Sequence, residues 1–393
     1  MRILGRFFVW LLACAAFHAL AAATDNTDAL MQRGIKAGSE KKYDEAIEIF
    51  DEAIRLHPDY SPAYFARGLA RYEKGSYEEA LSDFSEAIRL NPKSAVAYAR
   101  RAGIYVMKRD NDRAFADSNE AIRLDPNSAP AYLARSAVYH DRGDDDRAVA
   151  DLDRALKLVP DMPSALSNRG NILASQGRYE RALADFNNAI RLKPDEPVYY
   201  LNRGDVFDAM RDYKKAVADY SEAIRLYPKF ALAYTNRCAV YAAQGKYDAA
   251  IADGTKAVEL DPNSAMAYTN RSAGFFGKAE DEKALRDCYR AIEISPNYPA
   301  AYGGLALCLA TSPNERLRDG KKAMIYATKA CELTHWKQAR YFQVLAAAFA
   351  ENGDFAHAIE WEKKFQQTAP NLGPKTKAPL KCYEAHQPYR APR

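Results

Sequence analysis

Apolar and polar positions along this chain fall on two interleaved helical stripes that return every thirty-four residues. Setting Pro58, Pro92, Pro126, Pro160, Pro194, Pro228, Pro262 and Pro296 at position 32 gives repeats that start at Thr27, Ser61, Ala95, Ala129, Pro163, Pro197, Ala231 and Ala265. Position 4 is then Leu30, Tyr64, Tyr98, Tyr132, Leu166, Tyr200, Tyr234 or Tyr268. Position 8 is always small: Gly34, Gly68, Ala102, Ser136, Gly170, Gly204, Cys238 or Ser272. Positions 4, 8 and 11 follow the i, i+4, i+7 spacing of one helix face. Positions 20, 24, 27 and 28 make a second stripe, with Ala46 to Ala284 at position 20 and Ala53 to Ala291 at position 27. Gly75, Gly143, Gly177 and Gly245 punctuate the gap between the stripes. Proline ends the second helix, because it donates no hydrogen bond and turns the residue before it away from helical backbone. Each repeat therefore predicts two antiparallel helices whose small residues let the backbones approach. One such pair cannot bury both of its faces, so the copies must stack.

This pattern resembles the tetratricopeptide repeat (TPR) family, and the regular match runs from residue 27 to 298 without a gap. The resemblance implies an all-α TPR solenoid, a right-handed superhelix of about ten helix-turn-helix repeats, continuous and without strands. Residues 299–372 read as two degenerate repeats. The first opens with AYGGLALCLA and carries a longer internal turn around Ser312–Asp319; the second contains AAAFAENGDFAHAIEW and ends at Pro370. Residues 373–393 form a basic tail, and LATSPNERLRDGKKAMIYATKACELT with LKCYEAHQPYR resembles the terminal module of exported bacterial TPR proteins. That module implies a cap over the open end of the stack, with glycine usual where His386 stands.

Position 7 is arginine in all eight regular repeats, where most TPRs carry leucine: Arg33, Arg67, Arg101, Arg135, Arg169, Arg203, Arg237 and Arg271. Stripe positions flank it, so each guanidinium is at least half buried and needs a partner. Position 23 on the second helix supplies one in Asp83, Asp117, Asp151, Asp185, Asp219, Asp253 and Asp287, with Ile49 breaking the series. We read an internal Arg–Asp ladder, structural rather than anion-binding because carboxylates match the arginines in number. Removing one carboxylate, as in Asp185→Ala, is expected at this stage to cost about 1–2 kcal/mol.

Position 6 behaves differently. Asn168, Asn202, Asn236 and Asn270 recur there in repeats five to eight, after Gln32, Ala66, Arg100 and Ala134. Positions 2, 6, 9 and 13 form their own stripe on the first helix, which in a TPR superhelix lines the concave groove. Around the asparagines it includes Asn171, Asp205 and small residues such as Ala239, Ala243 and Ala273. A carboxamide offers donors and an acceptor, so it pairs with a peptide backbone amide irrespective of side chain. Neighbouring first helices lie about 8–10 Å apart and an extended strand advances about 3.3 Å per residue, so one asparagine meets about every third ligand residue. The row resembles the asparagine ladder in the TPR domain of the O-GlcNAc transferase, here on four repeats and without a transferase domain. Its rival is a merely solvated stripe. The C-terminal-carboxylate clamp of chaperone-adaptor TPR domains is matched only at Arg100, since Val96, Ala66 and Ile35 stand where a lysine and two asparagines belong.

Composition narrows the function classes. The 48% hydrophobic and 27% charged content is that of a folded protein. A net charge of +4 falls to +2 without Arg2 and Arg6, and no Lys/Arg cluster lies in the body, which argues against a nucleic-acid partner. His57, His140, His335, His357 and His386 are scattered, with no metal-ligand or nucleophile motif, so neither catalysis nor a metal or cofactor is expected. Cys238, Cys288, Cys308, Cys331 and Cys382 suit no metal site and read mainly as small fillers. Residues 1–23 read as a cleaved signal peptide, with basic MRILGR, apolar FFVWLLACAAFHAL and an alanine-rich cleavage site. Two alternatives stay open: a lipoprotein lipidated at Cys14 in Leu11-Leu12-Ala13-Cys14, and an uncleaved anchor. The expectation is an exported, periplasmic or secreted scaffold that binds a protein or peptide, touching the membrane only if Cys14 is lipidated.

Overall fold

The computed structural model describes residues 25–368 and 378–390. The export segment with Cys14, Pro370 and the tail's Lys375, Lys377 and Arg393 lie outside them. Among the described residues every regular element is helical. The chain divides between Leu192 and Lys193 into two compact units, where the repeat pattern predicted one continuous stack. The thirty-four-residue register itself runs on unbroken, from Tyr179–Leu192 to Pro197–Ala209. The first unit holds five helix pairs, from Asp25–Ser39 with Tyr43–Leu56 to Pro163–Ser175 with Tyr179–Leu192. The second holds five more, from Pro197–Ala209 with Tyr213–Leu226 to Arg340–Glu351 with Phe355–Thr368, followed by the short helix Ala378–Glu384.

Volume is exchanged between the two helices of a repeat. A Cβ on Gly68 would lie 2.8 Å from Phe84, and one on Gly170 or Gly204 would lie 2.9 Å from Phe186 or 2.7 Å from Tyr220. Where position 8 grows, position 24 shrinks, as in Ala102 with Ser118, Cys238 with Gly254 and Ser272 with Cys288. The pair conserves volume, which close packing demands. The periodic tyrosine and proline are also coupled: the hydroxyls of Tyr64, Tyr132 and Tyr200 donate to the carbonyls of Pro58, Pro126 and Pro194 at 3.0–3.2 Å. Each such bond satisfies a carbonyl at the end of one repeat from the first helix of the next.

The turn inside each repeat requires left-handed backbone at position 15. Gly75 takes φ 93°, whereas Lys41, Arg109, Arg211 and Ala279 adopt φ of 57–64° at the same place. A side chain there crowds the carbonyl. Ala279→Gly is therefore expected to raise stability by about 0.5–1 kcal/mol, read from urea denaturation, despite the extra freedom glycine gives the unfolded chain.

In the last repeats the expected long turn is present, as a 3-10 segment Glu315–Leu317 between Pro299–Thr311 and Gly320–Leu333. Glu351 clamps it from below: Arg318 Nε lies 2.9 Å from one carboxylate oxygen and Arg390 Nη1 lies 2.6 Å from the other. Tyr383, fully buried with Ala346, Ala350 and Ala358, plugs Ala378–Glu384 into the end of this unit. His386 adopts φ 53°, the conformation a glycine would favour, so the final turn keeps a glycine-like backbone. Beside Tyr383, Glu362 is completely buried, and its Oε2 and the Tyr383 hydroxyl have no hydrogen-bond partner among the described residues. Burial pushes the Glu362 carboxyl up to about 7. The folded state then holds this proton more tightly than the unfolded chain, so stability falls as pH rises from the ordinary glutamate range through 7. Urea midpoints measured from about pH 5 to 8 should decline with this origin and flatten in Glu362→Gln.

Candidate peptide-binding face

The position-7 arginines are held on both sides. Seven of them, from Arg67 to Arg271, approach the aspartate sixteen residues on at 2.6–2.7 Å. The carboxylates are almost completely buried and the arginines mostly so, at 6% and 20% side-chain exposure for Asp185 and Arg169. The second guanidinium nitrogen reaches back sixteen residues to position 25 of the preceding repeat: Arg101 to Ser85, Arg135 to Asn119, Arg169 to Asp153 and Arg237 to Ser221, at 2.6–3.0 Å. Six of the seven also lie over their own position-4 ring, 5.4–5.7 Å from the centroid at Tyr64, Tyr98, Tyr132, Tyr200, Tyr234 and Tyr268, while Arg169 follows Leu166. One side chain thus closes the hairpin and staples it to its predecessor.

Repeats that break the pattern break it on both sides. Arg33, opposite Ile49, is exposed, while Ile49 is buried. In the ninth repeat Leu305 replaces the arginine and is fully buried. Position 25 before it is Tyr289, edge-on to Tyr326. The position-25 staple was missed from sequence, although Asp51, Ser85, Asn119, Asp153, Asn187, Ser221 and Thr255 repeat at the period and were open to the same reading.

With position 7 occupied internally, position 6 becomes the outward-facing polar row. First helices of successive repeats pack on one another more closely than second helices do, so they form the inner wall of each unit. Asn168, in the first unit, is half buried beside exposed Asn171. Asn202, Asn236 and Asn270, in the second, are half buried. Asn270 Nδ2 donates to the backbone carbonyl of Thr235 at 3.0 Å, placing it against the preceding first helix. Asn236 Nδ2 donates to Asp205 Oδ1 at 2.8 Å, which also accepts from the buried Tyr220 hydroxyl at 2.8 Å. Desolvation of this oxygen raises the Asp205 carboxyl above its ordinary range, against the lowering effect of those two donors. Asp205 therefore orients Asn236, a role its spacing did not reveal. The asparagines share no common internal partner, and the carbonyl oxygens of Asn236 and Asn270 accept no hydrogen bond among the described residues. Asn236 and Asn270 each keep an acceptor and one N–H for a ligand.

Arg100 stands at the same position in the first unit, half buried, with no hydrogen bond or ion pair among the described residues. The five cysteines among the described residues are free thiols, four of them buried. No group of His, Cys, Asp and Glu suited to a metal ion occurs among the described residues, and no described helix is long and apolar enough to cross a membrane.

Comparisons with known proteins converge on the repeat. The tetratricopeptide repeat family matches residues 31–95, 65–129 and 201–265 in one form and 136–203 in another. Among solved structures, a chain of the complex described as the APC/C hetero-tetramer Cut9-Hcn1 is 14% identical, covering 96% of this chain and 92% of that one, with a TM-score of 0.52. Yeast Tom70 is 16% identical over 92% and 95% of the two chains, with a TM-score of 0.46. YrrB, described as a TPR protein with an unusual peptide-binding site, is 25% identical over 47% of this chain and 95% of its own, with a TM-score of 0.39. No curated protein matches in sequence. With helix pairs in strict register, a tyrosine–proline clasp between repeats and a family match over more than half its length, the chain belongs to the tetratricopeptide repeat family.

Proposed function

We propose that this protein is a non-catalytic scaffold that holds an extended protein segment along the inner face of its first helices, gripping the segment's backbone through Asn202, Asn236 and Asn270 in the second unit, with Asn168 the equivalent amide in the first. The family membership supports a protein–protein interaction scaffold. The observation that carries the finer reading is the state of the carboxamides: they stand half exposed on the inner wall, and Asn236 and Asn270 are braced through one N–H while their carbonyl oxygens stay unoccupied. A braced amide loses little freedom on binding, so more of its hydrogen-bond energy reaches the complex. The small neighbours Ala239 and Ala273 leave room for a main chain to lie close.

Photo-crosslinking tests this. A benzophenone side chain at Ala239 or Ala273 should capture a protein partner in cells, and one at Lys256, exposed on a second helix, should not. Capture through Lys256 alone would move recognition to the outer surface.

The proposed location is the bacterial cell envelope, supported by the leader-like residues 1–23 and the terminal-module wording. Mass spectrometry of the mature N-terminus should find a start near Thr24. A lipid on Cys14 would instead identify a membrane-tethered organiser that works through its convex surface.

A further inference from the structure

Helical glycines in this protein generally have a packing reason: at Gly34, Gly68, Gly170 and Gly204 a methyl group would strike an aromatic ring. Gly103 has none. It lies inside the helix Ala95–Met107 without positive φ, and a Cβ there would meet nothing within 4 Å. Glycine at a helix interior is destabilising relative to alanine, and here neither a turn nor close packing offsets that. It leaves bare backbone beside open space, three residues after Arg100 on the same groove stripe.

Arg100 is the second irregularity at this place. Every paired arginine in the ladder faces a buried aspartate, yet Arg100 faces none. Burial lowers its guanidinium from the ordinary value, and the carboxylate of Glu73, which opposes that effect from a distance, makes no hydrogen bond or ion pair with it. In the neighbouring repeats the same position is Ala66 and Ala134, both buried and neutral. A half-desolvated guanidinium without a bonded counter-charge is completed by an incoming anion, and its planar fork fits a carboxylate through two parallel N–H donors.

Building on the groove-binding reading, we propose that Arg100 and the bare backbone at Gly103 form an anchor in the first unit for an aspartate or glutamate side chain of a segment bound along that unit's first helices, whose main chain passes over Gly103. The anchor gives the complex a register that backbone recognition by asparagine cannot supply. It differs from a terminal-carboxylate clamp, because the basic and amide residues such a clamp needs are replaced by Val96, Ala66 and Ile35.

Selection of random displayed peptides on the purified full-length protein tests it. The enriched peptides should carry Asp or Glu at one fixed place, and their synthetic, C-terminally amidated forms should bind Arg100→Gln about tenfold more weakly than the parent. Changing the peptide's acid to its amide should produce the same loss in the parent and no further loss in Arg100→Gln. Gly103→Leu should weaken binding of the same peptides with an unchanged or higher melting temperature, which separates blocking of the groove from misfolding. Peptides enriched without an acidic residue, or bound equally by Arg100→Gln, would overturn the anchor while leaving groove binding intact. Abolition of binding by C-terminal amidation would also overturn it, in favour of a terminal carboxylate. If no peptide is enriched, groove binding and the anchor fall together.

Discussion

Asp185→Ala is expected to lower stability by about 2–3 kcal/mol, more than the repeat pattern alone implied, because it strands a guanidinium that the fold has already desolvated. Asp185 is 6% exposed and accepts from Arg169 Nη2 at 2.7 Å and Nε at 2.8 Å. Deleting one partner of a fully buried pair costs about 3–5 kcal/mol. The loss is smaller here because Arg169 retains Asp153 at 2.6 Å and is 20% exposed. Asp153→Ala, at a carboxylate that is 50% exposed, should cost under about 1 kcal/mol. Urea denaturation of the two variants gives the comparison, and equal losses would refute the idea that the buried half of the ladder dominates.

The repeat architecture was legible from sequence because it is a nearest-neighbour structure. A proline, an aromatic and two alanines in register define a unit whose partner is its own copy, so no long-range pairing had to be guessed. The pairing of position 7 with position 23 was readable for the same reason. The division at Leu192 was not, since the register of Pro160 and Pro194 passes through it unchanged. Nor was the grip of Tyr220 and Asn236 on Asp205, which depends on a tyrosine replacing phenylalanine at position 24 in one repeat. Gly103 looked like one more small residue until its empty surroundings were seen.

The second large effect concerns the ligand. Replacing Asn202, Asn236 and Asn270 together by alanine should weaken binding of the captured segment by about two orders of magnitude, at about 1 kcal/mol net for each contact. Folding should change little, because half-exposed groove positions away from the core tolerate substitution within about ±0.5 kcal/mol. Asn236→Ala is the exception to watch, since it removes one of two donors to Asp205 Oδ1. Asn270→Ala, which removes a donor only to the backbone carbonyl of Thr235, gives the cleaner reading.

A backbone N-methyl scan of the captured segment, measured by calorimetry against the parent protein, tests the central claim most directly. Backbone recognition predicts that methylation at about every third residue weakens binding tenfold or more, in step with the spacing of first helices, while scrambling the side chains with the acidic residue held in place changes it little. Binding that survives every methylation but is abolished by scrambling would contradict the account, and would mean that the groove reads side chains and the asparagine row is only a solvated stripe.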